Sequence, residues 1–209
     1  MGMNTTGCFY SRKTEIYMHR LAGDEKTENL ITALFQEASD SREDSILGRT
    51  AAGAPYLRTM PGVHISVSHS GSWWLCAASG TPVGIDLEFP RKRRNETEED
   101  MAARLCRLGE RFFTSEEADW ISRGDRVKRF LTLWTAREAY VKYLGTGVTG
   151  NFTQQTVLSN AFAADGVIPD SWTAQGVCFR MVELPGAPGS ICCLCTEEEI
   201  AGDLRVVHF

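Results

Sequence analysis

Residues 83–88 read "VGIDLE", and the alternation within this short stretch decides how the chain is folded. Val83, Ile85 and Leu87 alternate with Gly84, Asp86 and Glu88, which predicts a strand with one apolar face and one face carrying two carboxylates. Like charges at that spacing raise each other's pKa unless something positive sits between them. A hard divalent cation would serve, since Mg2+ takes one or two carboxylates together with substrate phosphates. A solvated strand face accounts for the same pattern without any ligand.

A second misplaced carboxylate lies downstream. The spacing predicts a helix over 126–144, with Val127, Phe130, Leu131, Trp134, Val141 and Leu144 on one apolar stripe. At about 100° per residue, Glu138 falls inside that stripe, roughly 40° from Trp134, and Lys142 follows one turn later. An unpaired carboxylate in such a place is costly, so Glu138 needs a lysine or a metal. A purely structural Glu138–Lys142 pair also satisfies it. Arg137 lies on the other side of Trp134 and reads as a scaffold or phosphate-proximal cation that lysine can replace. Upstream, "SVSHSGSW" (66–73) sets His69 between Ser68 and Ser70 at a strand end entering a turn. Hydroxyls, an imidazole and free backbone N–H groups suit an anionic oxygen such as phosphate, although a structural histidine is equally at home there.

Around these stretches the chain has ordinary globular character: 209 residues, 43% hydrophobic, 23% charged, net charge −5. That balance argues against a general nucleic-acid or membrane-surface binder, which needs a dominant basic field. No run of 18 apolar residues is present, and "MGMNTTGCFYSRK" lacks the apolar core of a secretory leader. Seven cysteines show no framework spacing, and Cys192, Cys193 and Cys195 would alternate across a strand rather than converge on zinc. Reduced thiols and a cytoplasmic protein are expected.

Periodicity predicts a strand over 14–21, a helix over 25–38, strands at "VHISVSHS", "SWWLCAAS" and "VGIDLEF", helices near 100–109 and 115–123, and a β tail at "GVCFRMVEL", "SICCLCT" and "LRVVHF". "GRTAAGAPYL" reads as a polar, Gly-rich connection. Two helix-then-strand halves, 1–95 and 96–209, emerge as one compact unit divided at the charged run "PRKRRNETEED". "GTGVTG" (145–150) matches a dinucleotide fingerprint but follows a helix, so Gly145 reads as a helix C-cap.

Taken in order, "GAPYL" (53–57), "SHSGSW" (68–73), "GIDLE" (84–88), "RFFTSEE" (111–117) and "FLTLWTAREAYVKYLGTG" (130–147) resemble the 4′-phosphopantetheinyl transferase superfamily, in its pseudo-dimeric, surfactin-synthetase-activating class. The resemblance spans about 48 to 150. It implies an α+β fold of two pseudo-twofold-related halves with the active site between them. It also implies Mg2+ held by Asp86, Glu88 and Glu138, with Glu138 acting as or orienting the base and Lys142 on the phosphates. Coenzyme A would be held by Ser68 and His69, with Gly53 and Pro55 at the adenine end. The implied partner is an apo acyl or peptidyl carrier protein whose serine receives phosphopantetheine, with release of 3′,5′-ADP, as in a holo-[acyl-carrier-protein] synthase. A monomer is expected, with neither nucleic acid nor membrane as partner. Two positions depart from the pattern. Arg137 stands where a lysine is usual, and Ala54 replaces a lysine near the adenine end, leaving Arg49 or Arg58 as substitutes. Two other classes stay open: an Mg2+-dependent hydrolase of nucleotide pyrophosphates, and a non-catalytic module binding coenzyme A or a carrier.

Overall fold

The computed structural model describes residues 14–36, 46–147, 155–158, 167–197, 199 and 204–209. The first sheet contains β1 (Glu15–Arg20), β4 (His64–Ser70), β5 (Trp73–Ser79) and β10 (Arg205–His208) in the order β10-β1-β5-β4. The second contains β6 (Val83–Glu88), β7 (Ser171–Ala174), β8 (Val177–Met181) and β9 (Ile191–Thr196) in the order β6-β9-β8-β7. A small hairpin, β2 (Leu47–Arg49) with β3 (Pro55–Leu57), stands apart. The helices are α1 (Thr27–Phe35), α2 (Glu98–Phe112), α3 (Ser115–Ser122) and α4 (Arg126–Leu144). The architecture is mixed α and β.

Local chemistry explains the boundaries. Ser70 faces Trp73 across a two-residue turn, and Gly71 adopts the left-handed φ of +60° that such a turn requires. Thr97 and Thr114 begin α2 and α3 with reciprocal capping boxes to Asp100 and Glu117. Asp125 caps the start of α4 and Gly145, at φ +65°, ends it. This places α4 over the span that periodicity predicts. The strands β2, β3 and β7 lie where no strand is expected. Each has only three or four residues, too few for alternation to register.

Four layers result. Ile31 and Phe35 of α1 cover Tyr17, Trp74 and Cys76 on one face of the first sheet. Its other face, Ile16, Met18, Leu75 and Ala77, packs on Val83, Ile85, Leu87, Cys192 and Leu194 of the second sheet. The far side of that sheet, with Phe179, Cys193 and Cys195, is covered by Leu133, Ala136 and Ala139 of α4 and by α2 and α3. Cys192 thus faces one core and Cys193 and Cys195 the other, as alternation requires. No helix of the described residues is long and apolar enough to cross a membrane. The sheets do not divide at residue 95, because β6 pairs with β9 and β10 runs parallel to β1.

Being sandwiched changes α4. It is buried around most of its circumference, while Trp134 is only partly buried and Leu144 is 40% exposed. The single-stripe reading therefore misplaces its most buried face, which carries Leu133, Ala136 and Ala139. Close approach to β6 is permitted by Gly84, where a Cβ would collide with the backbone carbonyl of Ala139 and the amide of Tyr143. Gly84→Ala is expected to cost about 1–3 kcal/mol by overpacking, measurable as a lowered unfolding midpoint. An unchanged midpoint would show that the helix does not lie this close to the strand.

Arg137 and Glu117 lock this helix layer. Both side chains are fully buried, and Arg137 Nη2 donates to Glu117 Oε2 at 2.6 Å. The guanidinium also donates to the Phe112 carbonyl and lies 4.2 Å from the centre of the Phe113 ring. Glu117 Oε1 accepts from Thr156 Oγ1 at 2.9 Å and from the Val157 amide at 3.0 Å. Burial pushes the Glu117 carboxyl up, but the Arg137 charge and these hydrogen bonds outweigh it, leaving it below its ordinary value. Burial lowers Arg137 against the pull of Glu117, yet from so high a starting value that both stay charged at neutral pH.

Candidate active site

Where β4, β6 and α4 meet, a cavity of about 480 Å³ is lined by Thr27, Arg49, Pro55, Val67, Ser68, His69, Asp86, Glu88, Trp134, Glu138 and Lys142. A second cavity of about 250 Å³ adjoins it, sharing Pro55, Glu138 and Lys142 and adding Gly53, Ala54 and Gly145. The strand carboxylates, the helix carboxylate, Lys142, Ser68, His69, Arg49 and Pro55 thus share one cavity, and Gly53 lines its neighbour. Arg58 lies elsewhere, in a cavity with Tyr56, His64 and Tyr143, so of the two candidate substitutes for the lysine absent at Ala54 only Arg49 faces the carboxylates. Arg49 is held there by Glu28 Oε1 at 2.8 Å and by the Gly53 carbonyl at 3.1 Å.

The solvated-face reading of β6 fails, since Asp86 is only 6% exposed and α4 crosses the same face. Its partners come from β4, which joins β6 through serine hydroxyls. Ser66 Oγ accepts from the Ile85 amide at 3.0 Å, and Ser68 Oγ accepts from the Leu87 amide at 3.1 Å. Ser68 Oγ also donates to Asp86 Oδ1 at 2.8 Å, and Ser70 Oγ donates to Glu88 Oε2 at 2.9 Å. A serine has one hydroxyl hydrogen. Ser68 directs its own at Asp86 and lines the cavity beside His69. His69, next in the strand, is exposed and faces the cavity.

The positive charge that the carboxylate pair demands is present as Lys142. Its Nζ donates to Asp86 Oδ1 at 2.7 Å and to the Ile85 carbonyl at 3.0 Å, leaving one ammonium hydrogen over. Lys142 therefore pairs with the strand carboxylate rather than with Glu138. The Glu138 carboxyl is raised by burial and then by the negative charge of Asp86, with Lys142 pulling it back down and Glu88 adding to the rise. Burial likewise raises Glu88, against its bond from Ser70, and Asp86 raises it further.

Among the described residues no three His, Cys, Asp or Glu side chains are drawn together tightly enough to enclose a metal. The donor set nevertheless suits a hard divalent cation. Asp86 Oδ2 is buried without any hydrogen-bond partner, and two further carboxylates face the same cavity with their charge penalised by Asp86. All ligands would be oxygens, as Mg2+ requires. A thiol nucleophile finds no support here: burial pushes Cys76 far above its ordinary value, which keeps it protonated.

Periodicity left three neighbours of this cavity unremarked. Trp134 belongs to the apolar stripe by spacing, yet it is only partly buried and lines the cavity. Thr27 opens α1 and donates no signal of its own. Ser70 stands in sequence only as a neighbour of His69, and its bond to Glu88 appears only in the fold.

A sequence model of the 4′-phosphopantetheinyl transferase superfamily matches residues 82–175, a span that includes Asp86, Glu88, Glu138 and Lys142. The chain is 33% identical over 148 residues to the 4′-phosphopantetheinyl transferase psf-1 of Bacillus pumilus, covering 68% of this chain and 59% of that protein. It is 30% identical over 118 residues to the 4′-phosphopantetheinyl transferase gsp of Aneurinibacillus migulanus, covering 55% and 44%. To the 4′-phosphopantetheinyl transferase Sfp of Bacillus subtilis (strain 168) it is 29% identical over 136 residues, covering 63% and 54%. The chain spans about half the length of these curated relatives. With three carboxylates and a lysine gathered in one cavity inside the matched span, the chain belongs to the 4′-phosphopantetheinyl transferase superfamily, and to its Sfp type.

Proposed function

We propose that this protein transfers the 4′-phosphopantetheine group from coenzyme A to a serine of an apo acyl or peptidyl carrier protein and releases 3′,5′-ADP. The observation that carries this reading is the shared cavity of Asp86, Glu88, Glu138 and Lys142 within the span that the superfamily matches. The serine oxygen attacks the β-phosphorus of coenzyme A, the bond from that phosphorus to the bridging oxygen breaks, and 3′,5′-ADP departs with the electron pair. Phosphoryl transfer of this kind depends on positioning and charge neutralisation more than on covalent help.

Asp86, Glu88 and Glu138 would hold Mg2+, which when bound neutralises pyrophosphate charge. Glu138, raised from its ordinary value by burial and by the charge of Asp86, is suited to accept the serine proton. The remaining ammonium hydrogen of Lys142 faces the cavity and can donate to a phosphate oxygen. His69 supplies a further donor at the phosphates, with Arg49, Gly53 and Pro55 toward the adenine end. Ser68 holds Asp86 in place. A monomer acting in the cytoplasm, with two pseudo-twofold-related halves about the site, completes the proposal.

Incubation with coenzyme A and Mg2+, with and without an apo-carrier, tests this reading against hydrolysis. Release of 3′,5′-ADP only when the carrier is present supports transfer; equal release without it identifies a hydrolase, and no release with any carrier points to a binding module.

The basic run after β6 bears on the carrier. Lys92 pairs with Glu98 at 3.0 Å, while Arg93 and Arg94 are exposed beside the site strand. An acidic carrier would meet these two arginines first. Replacing both with serine is expected to raise the carrier KM roughly fivefold at low ionic strength, two exposed pairs at about 0.5 kcal/mol each. Coenzyme A binding should not change, and the salt dependence should flatten. An unchanged carrier KM would leave the run a solvated linker.

A further inference from the structure

Arg91 opens the basic run, yet it differs from its neighbours. Its Nη2 donates to Ser70 Oγ at 3.0 Å, and that same hydroxyl donates to Glu88 Oε2 at 2.9 Å. Ser70 is 2% exposed, so the serine is a buried relay between an arginine at the surface and a carboxylate of the cavity. The arginine is itself fixed from behind. Arg104 of α2 donates through Nη2 to the Arg91 carbonyl at 3.0 Å, and grips Glu96 through Nε at 2.7 Å and Nη2 at 2.9 Å. Both ends of the loop 91–96 are thus tied to one guanidinium, which fixes the Arg91 backbone.

The hydrogen-bond directions give the relay its purpose. Ser70 has a single hydroxyl hydrogen, and an arginine can only donate. With Arg91 occupying an acceptor position on Ser70 Oγ, that hydrogen is turned toward Glu88. One carboxylate oxygen, Oε2, is then engaged by a fixed donor, which holds the carboxylate in one orientation toward the cavity. Without Arg91 the hydroxyl can rotate away and Glu88 loses its orientation.

We propose that Arg91 is a positioning residue which, through Ser70, fixes the Glu88 carboxylate for divalent-metal binding. The proposal rests on the reading of Asp86, Glu88 and Glu138 as the metal site. Partners that orient a ligating carboxylate typically matter by 10- to 100-fold in metal affinity.

The test is a Mn2+ titration of the whole chain, with coenzyme A present and absent, following loss of the free-ion electron paramagnetic resonance signal. Five variants are compared with the parent: Arg91→Met, Arg91→Lys, Ser70→Ala, the double variant Arg91→Met with Ser70→Ala, and Lys92→Met, which removes an equal charge one residue away without touching Ser70. Unfolding midpoints confirm that each is folded, and the exposed position of Arg91 keeps its variant informative even where Ser70→Ala is not. The expected result is a roughly tenfold weaker Mn2+ affinity for Arg91→Met and for Ser70→Ala, with the double variant no weaker than the weaker single. Lys92→Met should match the parent, and Arg91→Lys, which still donates to the hydroxyl, should recover part of the loss. In turnover, Arg91→Met should raise the Mg2+ concentration for half-maximal rate and leave the rate at saturating Mg2+ close to that of the parent. Equal affinities for Arg91→Met and Lys92→Met, or losses that add in the double variant, would overturn the relay while leaving the metal site standing. A parent chain that binds no Mn2+ under either condition would overturn the metal site and the relay with it.

Discussion

Glu138→Ala is expected to lower Mg2+-dependent turnover by at least about 10²- to 10⁴-fold, the range of a positioned proton acceptor. The expected loss has two sources. The helix carboxylate faces the cavity shared with Asp86 and Glu88, and burial together with the charges of Asp86 and Glu88 raises it above its ordinary value. On the proposed assignment, removing it would take away both a metal oxygen and a base. Coenzyme A should still bind through His69, Arg49 and Lys142, so the loss belongs in kcat rather than in coenzyme A affinity. Steady-state rates at saturating Mg2+ decide the matter. Near-parental turnover by Glu138→Ala would remove Glu138 from both roles.

The second large effect is on stability. Arg137→Met is expected to destabilise the fold by about 3–5 kcal/mol, because it leaves Glu117 as an uncompensated buried charge. For a chain of this size that is a fall of roughly 10 °C in the unfolding midpoint. Lysine is not expected to rescue the position, contrary to the reading that lysine can replace Arg137. The guanidinium reaches Glu117 and the Phe112 carbonyl at once while lying over the Phe113 ring, and one ammonium cannot satisfy that planar set. Arg137→Lys should therefore also melt earlier, by more than Lys142→Met at the half-open cavity.

The pH dependence has a definite sign. A carboxyl lowered in the folded protein, as Glu117 is, contributes stability above its unfolded value of about 4.3 and loses it as pH falls through the folded value. Without Arg137 the buried carboxyl is instead raised, so the variant gains relative stability on protonation. The midpoint gap between parent and Arg137→Met should be widest near neutral pH and narrow below about pH 4–5. A gap independent of pH would mean that the ion pair is not what Arg137 contributes.

Much of the site is legible in the sequence because charge in an apolar pattern is an anomaly that needs a cause. Asp86 and Glu88 place two like charges on one face of a strand and Glu138 interrupts a helical stripe, and all three face one cavity. Gly84 belongs to the same pattern, although only the packing shows that it admits the Ala139 carbonyl. What alternation and periodicity cannot convey is direction and pairing over long distances. Nothing local tells that Lys142 turns to Asp86 rather than to Glu138 four residues away, or that Ser68 spends its hydrogen on a carboxylate. Arg137 looks like any charged position on a helix until Glu117 arrives from α3. Likewise β6 and β10 carry ordinary strand patterns, and only long-range pairing sends each to the sheet of the other half. The short strands β2 and β3 fall below the length at which a period of two can be read.

Transfer itself is the claim on which everything else depends, and intact-mass spectrometry of the carrier measures it directly. The parent chain, incubated with an apo acyl or peptidyl carrier protein, coenzyme A and Mg2+, should add one phosphopantetheinyl group to the carrier's serine. An equal amount of 3′,5′-ADP should appear, and the mass of this protein should not change. A carrier that keeps its apo mass across acyl and peptidyl types, while coenzyme A is consumed or left intact, would contradict the account.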